Sequence, residues 1–439
     1  MVQAAAEPVE VRLSIRASTI AIEWITFGLV FVLCIGSMLL GLLLDGPVGL
    51  WRGSVRILGS PSRLLTDYIE IGTLGATFFN AGLVTLLSLL LVRWQRAPFT
   101  GIVIAGLYTV YAFAFFGKNL FNTIPIMLGV YLYARLVNEP FRDHLAPALF
   151  ATALAPAVSH IAFGIYAQVW VGIIVGYLVG IVLGFIVPPM AAQFKMFHKG
   201  LSLYNIGFTA GMVGMLTTAA LNLFGFPAEL KDVLSSGSNL VQAIAIGTFC
   251  LTLFLVGLGL SGWSMRGPWE LMRRLGRYPG DFVARVGLGD TMMNMGLVGG
   301  LSLTLVLAIG GDLNGPIIGG IFTTIGFGAF GKHALNVIPI WIGVTLASLV
   351  RGDDLSTTAV LLTMLFGTTI APLASVYGPF AGIFAGFMHT ALVVNTAPLH
   401  GGLNLYNHGF AGGLIAILLV PVFNALVRIS GKPDRTLNL

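Results

Sequence analysis

Charge is what this sequence has least of. Only 9% of its 439 residues are Asp, Glu, Lys or Arg, against 56% hydrophobic, and the mean hydropathy is +0.92. A water-soluble fold carries about a quarter of its residues as charges to cover its surface. A soluble domain of this length is thereby excluded, and lipid becomes the main solvent. Cysteine is nearly absent. Cys34 and Cys250 both fall inside apolar runs, so they read as small buried hydrophobes rather than a disulfide or a metal pair. No HExxH site, acidic metal cluster or nucleophile–base pair is visible, so neither an enzyme nor a metal or cofactor is expected. A cleavable leader is missing too: the apolar run after Arg16 is longer than a signal core and leads into another span, which makes it the first helix. The net charge of +6 does not point to nucleic acid, because the bases lie between apolar runs, where headgroups and insertion topology account for them.

What is present is a series of runs long enough to cross about 30 Å of hydrocarbon. They fall at about 18–44, 72–94, 98–116, 119–137, 145–163, 168–190 and 200–224, then at 240–262, 288–309, 314–330, 333–350, 356–375, 378–397 and 403–427. The expected fold is an all-α polytopic membrane protein of about fourteen transmembrane helices. Its parts are a cytoplasmic segment 1–17, repeat 1 over 18–239, repeat 2 over 240–427 and a cytoplasmic tail 428–439.

The repeats rest on an internal match. At an offset of 214, residues 80–130 align without gaps to 294–344 with 23 identities in 51 positions, where shared hydrophobicity alone gives on the order of one in ten. At an offset of 202, His198–Gly211 matches His400–Gly413 with nine identities in fourteen. Seven crossings per copy is an odd number, so the second copy starts on the side where the first ended and the repeats run inverted. Loop charge agrees. With the N-terminus inside, sixteen of the 23 bases become cytoplasmic and only Arg52, Arg56, Arg63, Lys231 and Arg351 fall outside, as the positive-inside rule requires. The Arg52–Arg63 stretch reads as an amphipathic segment on the outer interface, equivalent to the basic stretch 266–285.

Several duplicated polar groups are candidate binding residues. The Phe-Gly-Lys turns at 116–118 and 330–332 put Lys118 and Lys332 between apolar helices, where a charge must be paired, hydrated or snorkelled; they are cationic anchors of a pathway or interfacial helix ends. The Lys332 turn superficially fits a phosphate-binding loop, but His333 stands where Ser or Thr is required, and the reading is rejected. Asn80 with Asn294, Asn122 with Asn336, and the clusters His198/Tyr204/Asn205 and His400/Tyr406/Asn407 are either solute ligands or interhelical glue. Glycines two and six residues after Asn205 and Asn407 admit another backbone or a ligand. Pro125 and Pro339 kink their helices. Gly172, Gly176, Gly180 and Gly184 form a close-packing stripe. Among the scarce intramembrane acids, Asp290 is the candidate for proton or sodium coupling, with a helix cap as its ordinary alternative.

At the repeated Leu-Tyr-Asn-x-Gly-Phe-x-x-Gly and Phe-Gly-Lys-x-x-x-Asn-x-Ile-Pro-Ile elements, the chain resembles, over nearly its whole length, an uncharacterised family of bacterial multi-pass inner-membrane proteins with the same duplication. The Tyr-Asn-x-x-x-x-Gly pattern is also similar to one in urea transporters. That likeness spans about ten residues per copy and fails in the number of following helices, so no binding residue is carried over. The leading expectation is a secondary transporter in the inner membrane, moving a small polar or anionic solute by alternating access between the repeats. A passive channel for a small neutral solute or ion needs the same groups and no coupling residue. A lipid-handling protein or a scaffold subunit are the remaining classes. The expected partners are the bilayer and a small-molecule or ion substrate, with self-association into a homo-oligomer left open.

Overall fold

The apolar runs become helices whose ends are set by local chemistry. In the computed structural model, residues 9–228, 230, 232–237 and 239–431 are described; Lys231, Lys432, Arg435 and the outermost parts of the expected terminal tails lie outside them. The first copy contributes α1 (Val9–Leu58), α2 (Leu74–Trp94), α3 (Gly101–Phe113), α4 (Leu120–Leu136), α5 (Phe141–Gly164), α6 (Val169–Phe197) and α7 (Asn205–Leu223). The second contributes α8 (Asn239–Leu260), α9 (Leu288–Ile309), α10 (Gly315–Phe327), α11 (Ala334–Arg351), α12 (Thr358–Tyr377), α13 (Pro379–Val393) and α14 (Asn407–Ile429). Among the described residues, ten of these are long and apolar enough to cross a membrane, while α3, α4, α10 and α13 are shorter. The fold is therefore all-α with ten candidate spans. At about 1.5 Å per residue, the 13-residue α3 and α10 fall short of a full crossing.

Hydroxyl and amide side chains start the helices. Thr73 accepts from Ala76 N, Thr100 from Val103 N and Asn314 from Ile317 N, each satisfying an amide the helix leaves unpaired. Within α1 the helix breaks at Gly46, whose φ of 65° suits glycine, and Pro47 follows. The leg beyond it carries exposed Arg52, Arg56 and Trp51 beside buried Gly53 and Ile57, an amphipathic segment as read from the sequence. Its second-copy counterpart is the helix Arg266–Arg273, with the same mixed faces.

Equivalent helix pairs pack alike. A Cβ on Gly82 would lie 2.5 Å from Cys34 O, and one on Gly296 would lie 2.6 Å from Cys250 O, so glycine lets α2 meet α1 as α9 meets α8. The stripe on α6 is used the same way: Gly172 and Gly176 face the α5 backbone, Gly180 faces Pro125 and Gly184 faces Ile126 O. At the centre lie α3 and α10, with every residue of α10 and all but Ile102 of α3 buried. They pack against each other antiparallel. Gly101, at the start of α3, meets Ala329 O just past the end of α10; Gly315, at the start of α10, meets Phe115 O just past the end of α3; Gly326 and Gly319 meet Ala105 and Ala112 between.

Candidate functional site

Each central helix ends in its Phe-Gly-Lys turn. Gly117 and Gly331 take φ of 80° and 98°, which reverses the chain, and the Lys118 and Lys332 amides bond back to Phe113 O and Phe327 O at 3.2 and 3.0 Å. The duplicated asparagines clamp these turns. Asn80 Nδ2 donates to Ala114 O and Lys118 O at 2.8 and 3.0 Å, and Asn294 Nδ2 to Gly328 O and Lys332 O at 2.7 and 2.8 Å. Asn122 Nδ2 donates to Gly117 O and Ser159 Oγ, and Asn336 Nδ2 to Gly331 O and Ser375 Oγ. All four use their amide hydrogens to shape the turns.

The turns hold Lys118 and Lys332 fully buried in the interior. Lys332 Nζ donates to the Tyr204 hydroxyl at 2.5 Å and lies 4.8 Å from that ring's centroid. Lys118 Nζ rests 5.1 Å from the Phe113 centroid, and neither it nor the Tyr406 hydroxyl has a hydrogen-bond partner among the described residues. No carboxylate pairs with either lysine there. A buried ammonium without a counter-ion costs several kcal/mol, so each lysine either sheds its proton or takes a negative or strongly accepting guest.

Rings surround the lysines in matched pairs. Tyr204 and Tyr406 stand 5.1 Å apart; Phe113 meets Tyr406 at 4.5 Å as Phe327 meets Tyr204 at 4.6 Å; Phe113–Phe366 and Phe150–Phe327 are both 5.7 Å. The Leu-Tyr-Asn-x-Gly-Phe motif builds this contact. Gly207 and Gly409 touch, and a Cβ on Gly211 would lie 2.3 Å from the Phe410 ring as one on Gly413 would lie 2.4 Å from the Phe208 ring. The space left by these glycines is filled by the other copy's aromatics. His198 Nε2 bonds to Asn205 Oδ1 at 2.9 Å and His400 Nε2 to Asn407 Oδ1 at 3.0 Å, while Asn205 and Asn407 donate to Ala191 O and Val393 O. These four residues pin the turn before α7 and α14 to the preceding helix.

The two copies differ in what lies over those turns. A cavity of about 670 Å³ reaches from a mouth at Lys195, Lys199 and Pro279 past Ser202 and Asn205 to Tyr204, Tyr406 and Phe327. No acidic side chain lines it. In the second copy the corresponding turn is covered. Gly401 and Gly402 stand where the first has Lys199 and Gly200; Leu64 N donates to Gly402 O at 2.8 Å, and a Cβ on Gly401 would lie 2.8 Å from Ala228. A Cβ on Gly200 would find only the Lys195 side chain, at 3.9 Å. A buried carboxylate fastens the cover: Asp67 accepts from Ser235 N, Ser235 Oγ and Gly315 N at 3.0, 2.6 and 3.1 Å, and from Ile69 N at 2.8 Å. Burial pushes this carboxyl up from its ordinary value, and those bonds pull it back. Its counterpart Asp281 is only partly buried and lies beside Gly101 as Asp67 lies beside Gly315, but among the described residues it accepts from Ala284 N alone.

Asp67 and Asp281 were not among the residues expected from the sequence, although both sit at the 214 offset, just upstream of the matched block. Asp290, the expected coupling acid, sits in the first turn of α9 and accepts from Ser261 Oγ at 2.7 Å, apart from the large cavity. The first copy makes the same link with the acid on the other helix, Asp45 accepting from Thr73 Oγ1 and from Ala76 N. A further pair, one that matching the repeats does not single out, is His389 and His408, whose Nε2 and Nδ1 lie 3.3 Å apart.

Fold and site together define a multi-pass all-α membrane protein whose two homologous halves meet at buried lysines and tyrosines. The chain belongs to the family described as protein of unknown function (DUF1576), whose model matches residues 47–223 and 260–425. No curated protein and no solved structure matches it.

Proposed function

We propose that this protein is a secondary transporter of a small anionic or polar solute in the inner membrane, built from two inverted repeats that alternate access to the Tyr204/Tyr406/Lys118/Lys332 centre. The observation that carries this reading is the inequality of two homologous halves. One turn opens to a 670 Å³ cavity, while its mate is covered by Arg63, Leu64, Ala228 and Leu230, with Asp67 bonded to Ser235 beside them. A permanently open channel needs a path on both sides of its constriction; a carrier needs one side closed at a time.

The antiparallel packing of α3 on α10 supports the inversion. These helices are equivalent in sequence, so opposite directions for them mean opposite directions for the repeats. The α3–α4 and α10–α11 segments turn back on themselves and do not change the parity of crossings. On this topology the Lys195/Lys199 mouth is cytoplasmic, both termini are cytoplasmic, and the Asp67 cover faces outward. The lysines draw an anion to the centre, and the aromatic walls exclude water around it. Asp281 already lies beside Gly101 at the start of α3, as Asp67 lies beside Gly315 at the start of α10, and closing the cytoplasmic mouth lets it accept from the Gly101 amide as Asp67 now accepts from Gly315, where an acid complements the helix N-terminus.

The test is exchange in proteoliposomes preloaded with inorganic phosphate, sulfate, benzenesulfonate or urea. Carrier behaviour predicts saturable counterflow of one of the anions, with trans-stimulation. Flux of urea alone, without trans-stimulation, refutes the carrier in favour of the channel.

A further inference from the structure

His389 on α13 and His408 on α14 form a titratable pair that the first copy lacks. At the matching positions the first copy has Val187 and Ile206, so the duplication did not need them. His389 is fully buried and His408 partly so, with Nε2 of the first 3.3 Å from Nδ1 of the second. The titratable and charged groups on the elements packed around them are His333 and Arg351 at the ends of α11, Tyr377 closing α12, Tyr204 at the start of α7, His400 just before α14, and Tyr406 and Arg428 at the ends of α14. His333 faces Gly276 O and Ser375, Tyr377 bonds to Asn424, and Arg351 pairs with Asp353. The helices α11 to α14 contain no Asp or Glu.

Two neutral imidazoles share one N–H in such a contact. Whichever ring donates it, one outer nitrogen keeps a vacant lone pair. The pair can therefore take up a single proton, which its members share, and repulsion excludes a second. Its place ties that proton to the solute centre. The His408 ring stacks on Phe366 at 5.8 Å, and Phe366 lies 6.5 Å from Tyr204, the acceptor of Lys332. The first-copy equivalent of His408, Ile206, lines the open cavity. When the halves exchange roles, His408 takes the corresponding place in the cavity on the opposite face.

We propose that His389 and His408 form the proton-binding site that couples solute movement to a proton gradient, an inference that rests on the transporter reading above. His408 meets the outer solution when the outer cavity opens, takes a proton there, and the added charge offsets that of an anion bound at the centre. The proton leaves when the anion does. No redox change or covalent bond is involved.

Substitution by the first-copy residues supplies the test. His408→Ile and His389→Val are reconstituted with the phosphate, sulfate and benzenesulfonate probes, and each is assayed for counterflow at equal pH and for accumulation under an inward proton gradient. The expected result is counterflow within about twofold of wild type, with gradient-driven accumulation falling to the equilibrium ratio of one. Proton-driven accumulation surviving in both variants overturns the proposal while leaving the carrier intact. Wild-type protein that exchanges none of the probes overturns the transporter reading and the coupling site with it. Should either variant fail to insert, His408→Gln keeps a hydrogen bond to His389 but takes no proton, and carries the same two outcomes.

Discussion

Removing the carboxylate of Asp67 should open the covered face. In Asp67→Ala the amides of Ser235 and Gly315, now bonded to Oδ2 at 3.0 and 3.1 Å, lose their acceptor while the cover is closed and regain water when it lifts. Each stranded buried amide costs about 1–3 kcal/mol. The lower end for two amounts to about 2 kcal/mol, roughly a 30-fold shift from closed toward open. The Ile69 bond is local to its own turn and is lost in both states, so it drops out. The assay uses two reporter substitutions at matched positions, Ser202→Cys in the open cavity and Asn404→Cys under the cover, against native cysteines that are both buried. With Asp67 intact, a membrane-impermeant maleimide should label position 202 and spare 404. With Asp67→Ala, labelling at 404 should rise on the order of 30-fold and labelling at 202 should fall. A rise at 404 with no fall at 202 would mean that the two faces are not exclusive, and unchanged protection at 404 would refute the clasp altogether.

Other substitutions separate roles at the centre. Tyr204→Phe, which removes the acceptor of Lys332 Nζ, should lower thermal stability in detergent by about 1.5–3 kcal/mol, whereas Tyr406→Phe, whose hydroxyl is unpartnered, should cost little; equal losses would contradict the asymmetry. Lys118→Ala and Lys332→Ala should each weaken anion exchange in proteoliposomes without preventing insertion, and full activity in both would remove the lysines from the pathway. Gly211→Leu should abolish a folded monodisperse peak on size exclusion, because its first side-chain carbon already falls 2.3 Å from the Phe410 ring. Asp290→Ala, which installs the first-copy residue, should destabilise the α8–α9 junction through loss of the Ser261 bond yet keep proton-driven accumulation; loss of that accumulation alone would return the coupling role to Asp290.

Much of the framework could be read from the chain. The apolar runs fall on helices to within a few residues at most ends, ten of them long and apolar enough to cross a membrane among the described residues, because hydrophobic length and glycine or proline punctuation are local properties. The amphipathic leg after Gly46 was legible from its arginines. Depth was legible only as an alternative: the runs 314–330 and 333–350 are short enough for a re-entrant hairpin, and it is the turns packed under Tyr68 and Phe282, whose amides bond to Phe115 O and Ala329 O, that end α3 and α10 inside. Among the candidate ligands, duplication drew attention to Asn80, Asn122, Asn205 and their mates, but a repeated polar residue marks a repeated need, and here that need includes backbone carbonyls left open at each turn. Lys118, Lys332, Tyr204 and Tyr406 do converge. Asp67 and Asp281 were within reach of the same alignment carried a few residues upstream. His389 and His408 were not, since a comparison of the chain with itself is blind to whatever only one half possesses.

The exchange of Lys199-Gly200 for Gly401-Gly402 makes the entrances unlike. On the transporter reading, an ammonium at one vestibule gathers anions from solution over a screening length of about 8 Å, while the glycines opposite let a lid lie flat, and the base nearest them, Arg63, belongs to that lid. Loading would be fast from the lysine side and slow from the other even with an identical binding centre between them. Rectification of this kind needs no extra domain, only the divergence of two residues after the gene was doubled.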